Sequence, residues 1–62
     1  EARARAEETV RMLSDEIDKL TERAAKAAAR GDSAAAAKAN DSIATYQTWL
    51  DQAKETLADF SR

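Results

Sequence analysis

Two groups of carboxylates are the residues of this sequence whose spacing comes nearest to metal chemistry. Each group would lie on one face of a helix, and oxygen ligands of this kind suit a divalent cation. Their members are Asp15, Asp18 and Glu22, and Asp51, Glu55 and Asp59. The same spacing is typical of a solvated helix face, and we expect that role, with no metal site and no cofactor.

Catalysis lacks the residues that it usually requires. The chain has no His and no Cys, so its Ser and Thr hydroxyls have no imidazole to activate them. Lys could act as a base, but every Lys lies outside the apolar positions described below. We therefore expect no catalytic residues and no enzymatic activity.

Basic residues gather around the single glycine, Gly31. Arg23, Lys26, Arg30 and Lys38 could bind phosphates, but the whole chain has a net charge of −2 and no aromatic residue lies among these four. Lys26 and Arg30 are also placed where basic residues stabilise the C-terminal end of a helix. We therefore do not expect nucleic-acid binding.

Two helices with heptad spacing must position these side chains. On each side of Gly31, apolar residues recur three and four residues apart, which is the a/d pattern of a coiled coil. We call these positions the seam. Its large members are Val10, Leu13, Ile17, Leu20, Ile43, Tyr46, Leu50, Leu57 and Phe60.

Gly31 and Asp32 indicate where the chain turns, because Gly can end one helix and Asp can cap the next. The sequence predicts an all-α fold, an antiparallel two-helix hairpin that resembles a coiled coil. The hairpin forms one unit over residues 1–62, with a helix at about 2–30, a turn at 31–32 and a helix at about 33–61.

The register of the hairpin follows from the turn. Alanines meet alanines near Gly31, and Leu13 meets Leu50 farther out, with Glu7 near Lys54 on one flank. Ion pairs between residues four apart are expected along the first helix. They are Glu1–Arg5, Glu7–Arg11, Asp15–Lys19 and Glu22–Lys26.

The hydrophobic content is too small for a closed core. Hydrophobic residues make up 44% of the 62 residues, but sixteen of them are Ala and only eleven are larger. Small domains bury little of their surface, so a chain with so few large side chains is expected to need a partner. No stretch is long and apolar enough to suggest a membrane span.

Trp49 and Met12 lie outside the seam, on one side of the predicted hairpin. A large aromatic residue at such a position is a candidate contact residue. It could also shield the Ile17–Tyr46 layer of its own hairpin. The predicted partner interface consists of Met12, Trp49, Thr9, Glu16 and Thr56.

The expected function is protein–protein association without catalysis. The hairpin would form a homodimer, most simply a four-helix bundle, or would dock on a partner helix. Two alternatives remain: a regulatory or adaptor fragment that binds a transcription or phage-assembly component, and a helical binder obtained by selection or design. The start at Glu1 favours a fragment, a processed product or a chain freed of a tag. The alanine-rich composition favours a bacterial or phage origin, and the absence of Cys favours the cytoplasm.

Overall fold

A computed structural model describes residues 1–62 and contains two helices and no strand. Helix α1 spans Ala2–Ala29 and helix α2 spans Ser33–Asp59. The helices pack against each other in a molecule 47 Å long and 14 by 12 Å across. The prediction of an all-α helical hairpin is confirmed.

Neither helix of the hairpin is sufficiently long and apolar to cross a membrane.

The turn between the helices is closed by backbone hydrogen bonds. The amide of Gly31 donates to the carbonyl of Ala28 at 3.1 Å, and the amide of Asp32 donates to Ala27 at 2.9 Å. This pair of bonds is the Schellman motif, in which the residue after the helix adopts a left-handed conformation. Gly31 has a φ of +78°, a value that glycine adopts without strain.

Asp32 begins the second helix as its N-cap. Its carboxylate accepts a hydrogen bond from the amide of Ala35 at 3.1 Å, and its other oxygen lies 3.7 Å from the guanidinium of Arg30. In contrast, Glu1 makes no side-chain bond at the start of α1. The hairpin is therefore better secured at its turn than at its open end.

The core lies in the half of the hairpin nearest the turn. The only buried residues are Leu20, Ala27 and Ala39, and none of them is polar. No hydrogen bond or ion pair between side chains joins α1 to α2. Apolar contact alone holds the helices together outside the turn. The other large seam residues are half-buried: Val10, Leu13, Ile17, Ile43, Tyr46, Leu50 and Leu57.

Phe60 does not join the core as the heptad pattern suggested. Helix α2 ends at Asp59, one turn of weaker bonds follows, and the side chain of Phe60 is 44% exposed. In the predicted register Phe60 falls opposite Arg3, near the uncapped start of α1. No large apolar side chain is present there to cover the ring.

The expected ion pairs along α1 form only in part. Lys26 lies 3.1 Å from Glu22, but Arg11 pairs with Glu8 and Glu7 makes no ion pair. The hydrogen bond that the Arg11 guanidinium donates to the carboxylate of Glu8 raises the pKa of Arg11 above its ordinary value. All these side chains are exposed, so water competes with each pair and the contribution to stability is small.

Candidate protein-binding surface

One flank of the seam carries the candidate contact residues. Each of its members immediately precedes a seam residue, so in antiparallel helices they project to the same side. Arg23 of α1 and Ser42 of α2 line one groove between the helices, as this placement requires. We call this set the Trp49 flank: Thr9, Glu16, Arg23, Ser42, Trp49 and Thr56, with Met12 beside it on α1.

Trp49 is held by its own helix but remains open on one side. Its ring meets Tyr46 edge to face, with centroids 5.2 Å apart and planes at 87°. The side chain is nevertheless 49% exposed, and Met12 is 61% exposed. The contact with Tyr46 agrees with a shielding role inside the hairpin. It also fixes the indole in place and so lowers the entropy cost of a second contact.

Two of the five polar residues of the Trp49 flank already donate their hydroxyl hydrogen to the backbone of their own helix. The hydroxyl of Thr9 donates to the carbonyl of Arg5 at 2.9 Å, and that of Thr56 donates to Gln52 at 3.1 Å. Because these donors already have partners, covering them with another protein carries little desolvation cost. Glu16 differs, since it is half-buried without an ion pair.

The end of the Trp49 flank nearest the turn is basic. Arg23 borders two adjoining grooves that are both open to solvent. The first lies on α1, and the second lies between the helices above Leu20 and Ala39. The basic residues around the two grooves are Lys19, Arg23, Lys26, Arg30 and Lys38.

Three of these five cations lack a partner. Lys26 and Arg30 are paired with carboxylates at 3.1 and 3.7 Å. In contrast, no carboxylate lies within 4.0 Å of Lys19, Arg23 or Lys38. The charge of these three side chains is therefore available to a ligand.

The charge of the hairpin is divided between its two sides. Six basic and two acidic residues lie on one side, a net charge of +4, so the rest of the chain carries −6. This side consists of the Trp49 flank, Arg30 one heptad after Arg23, and the adjacent outer row that contains Met12. We call this surface the basic face. Its charged residues are Arg5, Glu16, Lys19, Arg23, Lys26, Arg30, Lys38 and Asp59.

Acidic residues follow the outer side of both helices at intervals of seven or fourteen. They are Glu1 at the N-cap of α1, then Glu8, Asp15 and Glu22 on α1, and Asp41 and Glu55 on α2. The basic cluster near Gly31 could be identified from sequence proximity. That Lys19 belongs to the same cluster follows only from its heptad position. Heptad positions also show that basic and acidic residues lie on opposite sides of the hairpin.

The remaining candidate chemistry is not assembled by the fold. The carboxylates singled out in the sequence, and all others, form no group of three or more that could hold a metal ion. All five Thr hydroxyls donate to the carbonyl four residues earlier on their own helix. Those hydroxyls serve the helix backbone.

Comparisons of this chain with protein-family models, with curated proteins and with solved structures find no match.

Proposed function

We propose that this chain is a non-catalytic association module, a helical hairpin whose Trp49 flank docks against further helices. A second copy would supply them in a homodimeric four-helix bundle, or a partner protein would supply one. The single observation that carries the proposal is the unfinished core: of eleven large hydrophobic side chains, only Leu20 is buried. A cytoplasmic location, suggested by the absence of Cys, is part of the proposal.

The free energy of association would come from apolar surface that two helices alone leave uncovered. One seam leaves more than half of each helix surface in water, and here Trp49 and Met12 occupy part of that surface. Covering roughly 100 Å² of indole contributes about 2.5 kcal/mol at ~25 cal/mol per Å². Packing further helices against this flank is the arrangement that four-helix bundles use. An adaptor that recruits one partner through the flank is the heteromeric form of the same proposal.

Replacing Trp49 tests the proposal directly. Trp49→Lys should leave helicity at high concentration largely intact and weaken association by ~2 kcal/mol, roughly a thirtyfold rise in Kd. Sedimentation equilibrium of parent and variant measures the difference. Thr48→Lys is the matched control, because Thr48 is the neighbouring exposed residue and lies outside the flank.

A variant of Met12 shows whether weaker association comes from a changed interface or from loss of the contact between Trp49 and Tyr46. Met12→Gln should also weaken association, although Met12 takes no part in the aromatic pair. If neither variant differs from the parent, the Trp49 flank is not the interface and the proposal fails. If the parent itself stays monomeric at submillimolar concentration, the homodimer is excluded. Titration with an uncharged amphipathic peptide then decides whether a partner helix docks.

A further inference from the structure

The basic end of the Trp49 flank has no role within the hairpin. Lys19, Arg23 and Lys38 are exposed and make no ion pair. Arg23 and Lys38 line the groove above the seam residues Leu20 and Ala39. Lys19 lines the adjoining groove on α1, whose one acidic residue, Glu22, is paired with Lys26. Helix-dipole stabilisation does not account for them, since it acts within the last turn and none of the three lies in the last turn of α1 or α2. Like charges placed together, without compensation, point to a ligand of opposite charge.

We infer that the helix which docks on the Trp49 flank is an acidic amphipathic helix of a partner protein. Its apolar residues cover Met12 and Trp49, and its carboxylates pair with Lys19, Arg23 and Lys38. This inference rests on the proposed association function and specifies the partner's chemistry. Amphipathic helices that lie in an apolar groove are a common mode of recognition, with charge setting partner choice.

A second copy of this chain fits the basic face less well. In a parallel pair the two basic ends would meet and repel. In an antiparallel pair each basic end would meet the open end of the other copy, whose face carries Arg5, Glu16 and Asp59, a net charge of only −1. The acidic residues of the chain lie mainly on its outer side, away from the Trp49 flank.

Charge distribution also favours a helix over an extended polyanion. The hairpin is only 14 by 12 Å across, so its acidic outer side lies close to one Debye length, about 8 Å at physiological salt, from the basic face. At longer range the two sides cancel, and a large array of phosphates senses the net negative charge. A partner helix makes close contacts along one narrow groove, where the local basic charge dominates.

The structure also specifies where the acidic residues of the partner should lie. Glu16 lies in the same layer of the hairpin as Trp49. Arg23 is one heptad closer to the turn, about 10.5 Å along the helix at ~1.5 Å per residue. Glu16 is half-buried and unpaired, and would repel a carboxylate at its own level. The partner should therefore carry its apolar anchor over Trp49 and its acidic residues about one heptad closer to the turn.

Matched peptides test this inference on the whole chain. The probe is a synthetic helix of about three heptads with Leu at its seam positions and Glu beside them; Lys or Gln replaces Glu in two control peptides. Trp49 is the only tryptophan, so its emission reports binding at the flank when the peptides contain none. The Glu peptide should bind roughly tenfold or more tightly than the Lys peptide, and added salt should reduce the difference.

A charge swap provides the decisive comparison. In the double variant Arg23→Glu/Lys38→Glu, the preference should reverse towards the Lys peptide. Both sites are exposed and Glu is a strong helix former, so the hairpin should persist, which circular dichroism checks. Lys54→Glu is the matched control, since Lys54 is exposed on the opposite flank, and the preference for the Glu peptide should remain.

The inference is overturned if the peptides bind alike, if none binds, or if the double variant keeps the parent's preference. Tighter binding of a short DNA duplex, or of phosphatidylcholine vesicles containing phosphatidylserine, also overturns it. Calorimetry with Trp49→Lys separates a failure of the acidic-partner inference from a failure of the association function. If all peptides bind the parent equally and Trp49→Lys abolishes binding, the association function stands and the acidic partner is wrong. If Trp49→Lys binds as the parent does, the association function fails as well.

Discussion

The two halves of the hairpin differ in how completely the same heptad pattern is buried. Near the turn, the seam is lined by Ala together with Leu20 and Ile43, and it contains every buried residue of the chain. Toward the open end the seam residues are larger, yet all of them are half-buried or exposed. Leu20 is thus the only large side chain that the two helices bury, and the other large seam residues keep part of their surface in water.

The two ends also differ in how their backbone is terminated. At the turn, Gly31 and Asp32 satisfy the backbone groups that the end of α1 and the start of α2 leave free. At the open end, α1 begins without a side-chain cap and the chain after Asp59 continues in turns. The turn is thus closed by its own hydrogen bonds, whereas the open end leaves apolar side chains exposed.

Leu20 and Leu50 give the largest test of this comparison. Leu20 is 7% exposed, so Leu20→Ala should lower the free energy of unfolding by about 3 kcal/mol. Leu50 is only half-buried, and Leu50→Ala should cost roughly half as much. Urea unfolding followed by circular dichroism measures both, with trimethylamine oxide added if a variant is too unstable alone.

Protein concentration sharpens that comparison. If a second copy covers the open half, the cost of Leu50→Ala should rise with concentration while that of Leu20→Ala changes less. Equal costs at all concentrations would mean that the two halves are equally packed, which contradicts the difference in burial.

Overpacking should have the next largest effect, and with opposite consequences in the two halves. Ala27 is 1% exposed, and Ala27→Leu should destabilise the hairpin by about 2 kcal/mol because the seam has no room for three more carbons. Ala53 occupies an equivalent heptad position in the open half and is half-buried. Ala53→Leu should be neutral or stabilising. Thermal unfolding compares the two variants. If Ala53→Leu lowered the thermal midpoint as much as Ala27→Leu, the two helices would be equally close along the whole seam.

Much of the fold could be predicted from the sequence because local signals agree. The heptad spacing, the strong helix formers and the Gly31–Asp32 pair all indicate the same hairpin, and the turn lies where those two residues place it. Trp49 and Met12 could be assigned to solvent for the same reason, since both lie outside the seam. Agreement among independent local preferences is what makes such a chain predictable.

The departures from the sequence prediction have physical causes. Phe60 matches the heptad pattern, but periodicity does not report that α2 ends at Asp59 or that Arg3, and no large apolar side chain, lies opposite. Exposed pairs such as Glu7–Arg11 depend on side-chain rotamers whose energies differ little in water. The T-shaped contact of Trp49 with Tyr46 likewise depends on rotamers. The outer surface is thus less determined by sequence than the seam.

Replacing Gly31 should change the free energy of unfolding least among these variants. The change should come from backbone conformation and not from packing. A Cβ added at Gly31 would meet no atom within 4 Å, so steric overlap cannot contribute. What remains is the φ of +78°, which an L-residue with a Cβ adopts at a cost of about 1 kcal/mol. Gly31→Ala should therefore lower the free energy of unfolding by about that amount.

Gly31→Asn should cost less, because Asn tolerates the left-handed region better than Ala. The thermal midpoints of the three proteins decide the matter. If Ala proved neutral, α1 would continue through residue 31 in solution and the closed turn would not be what distinguishes the two ends of the hairpin.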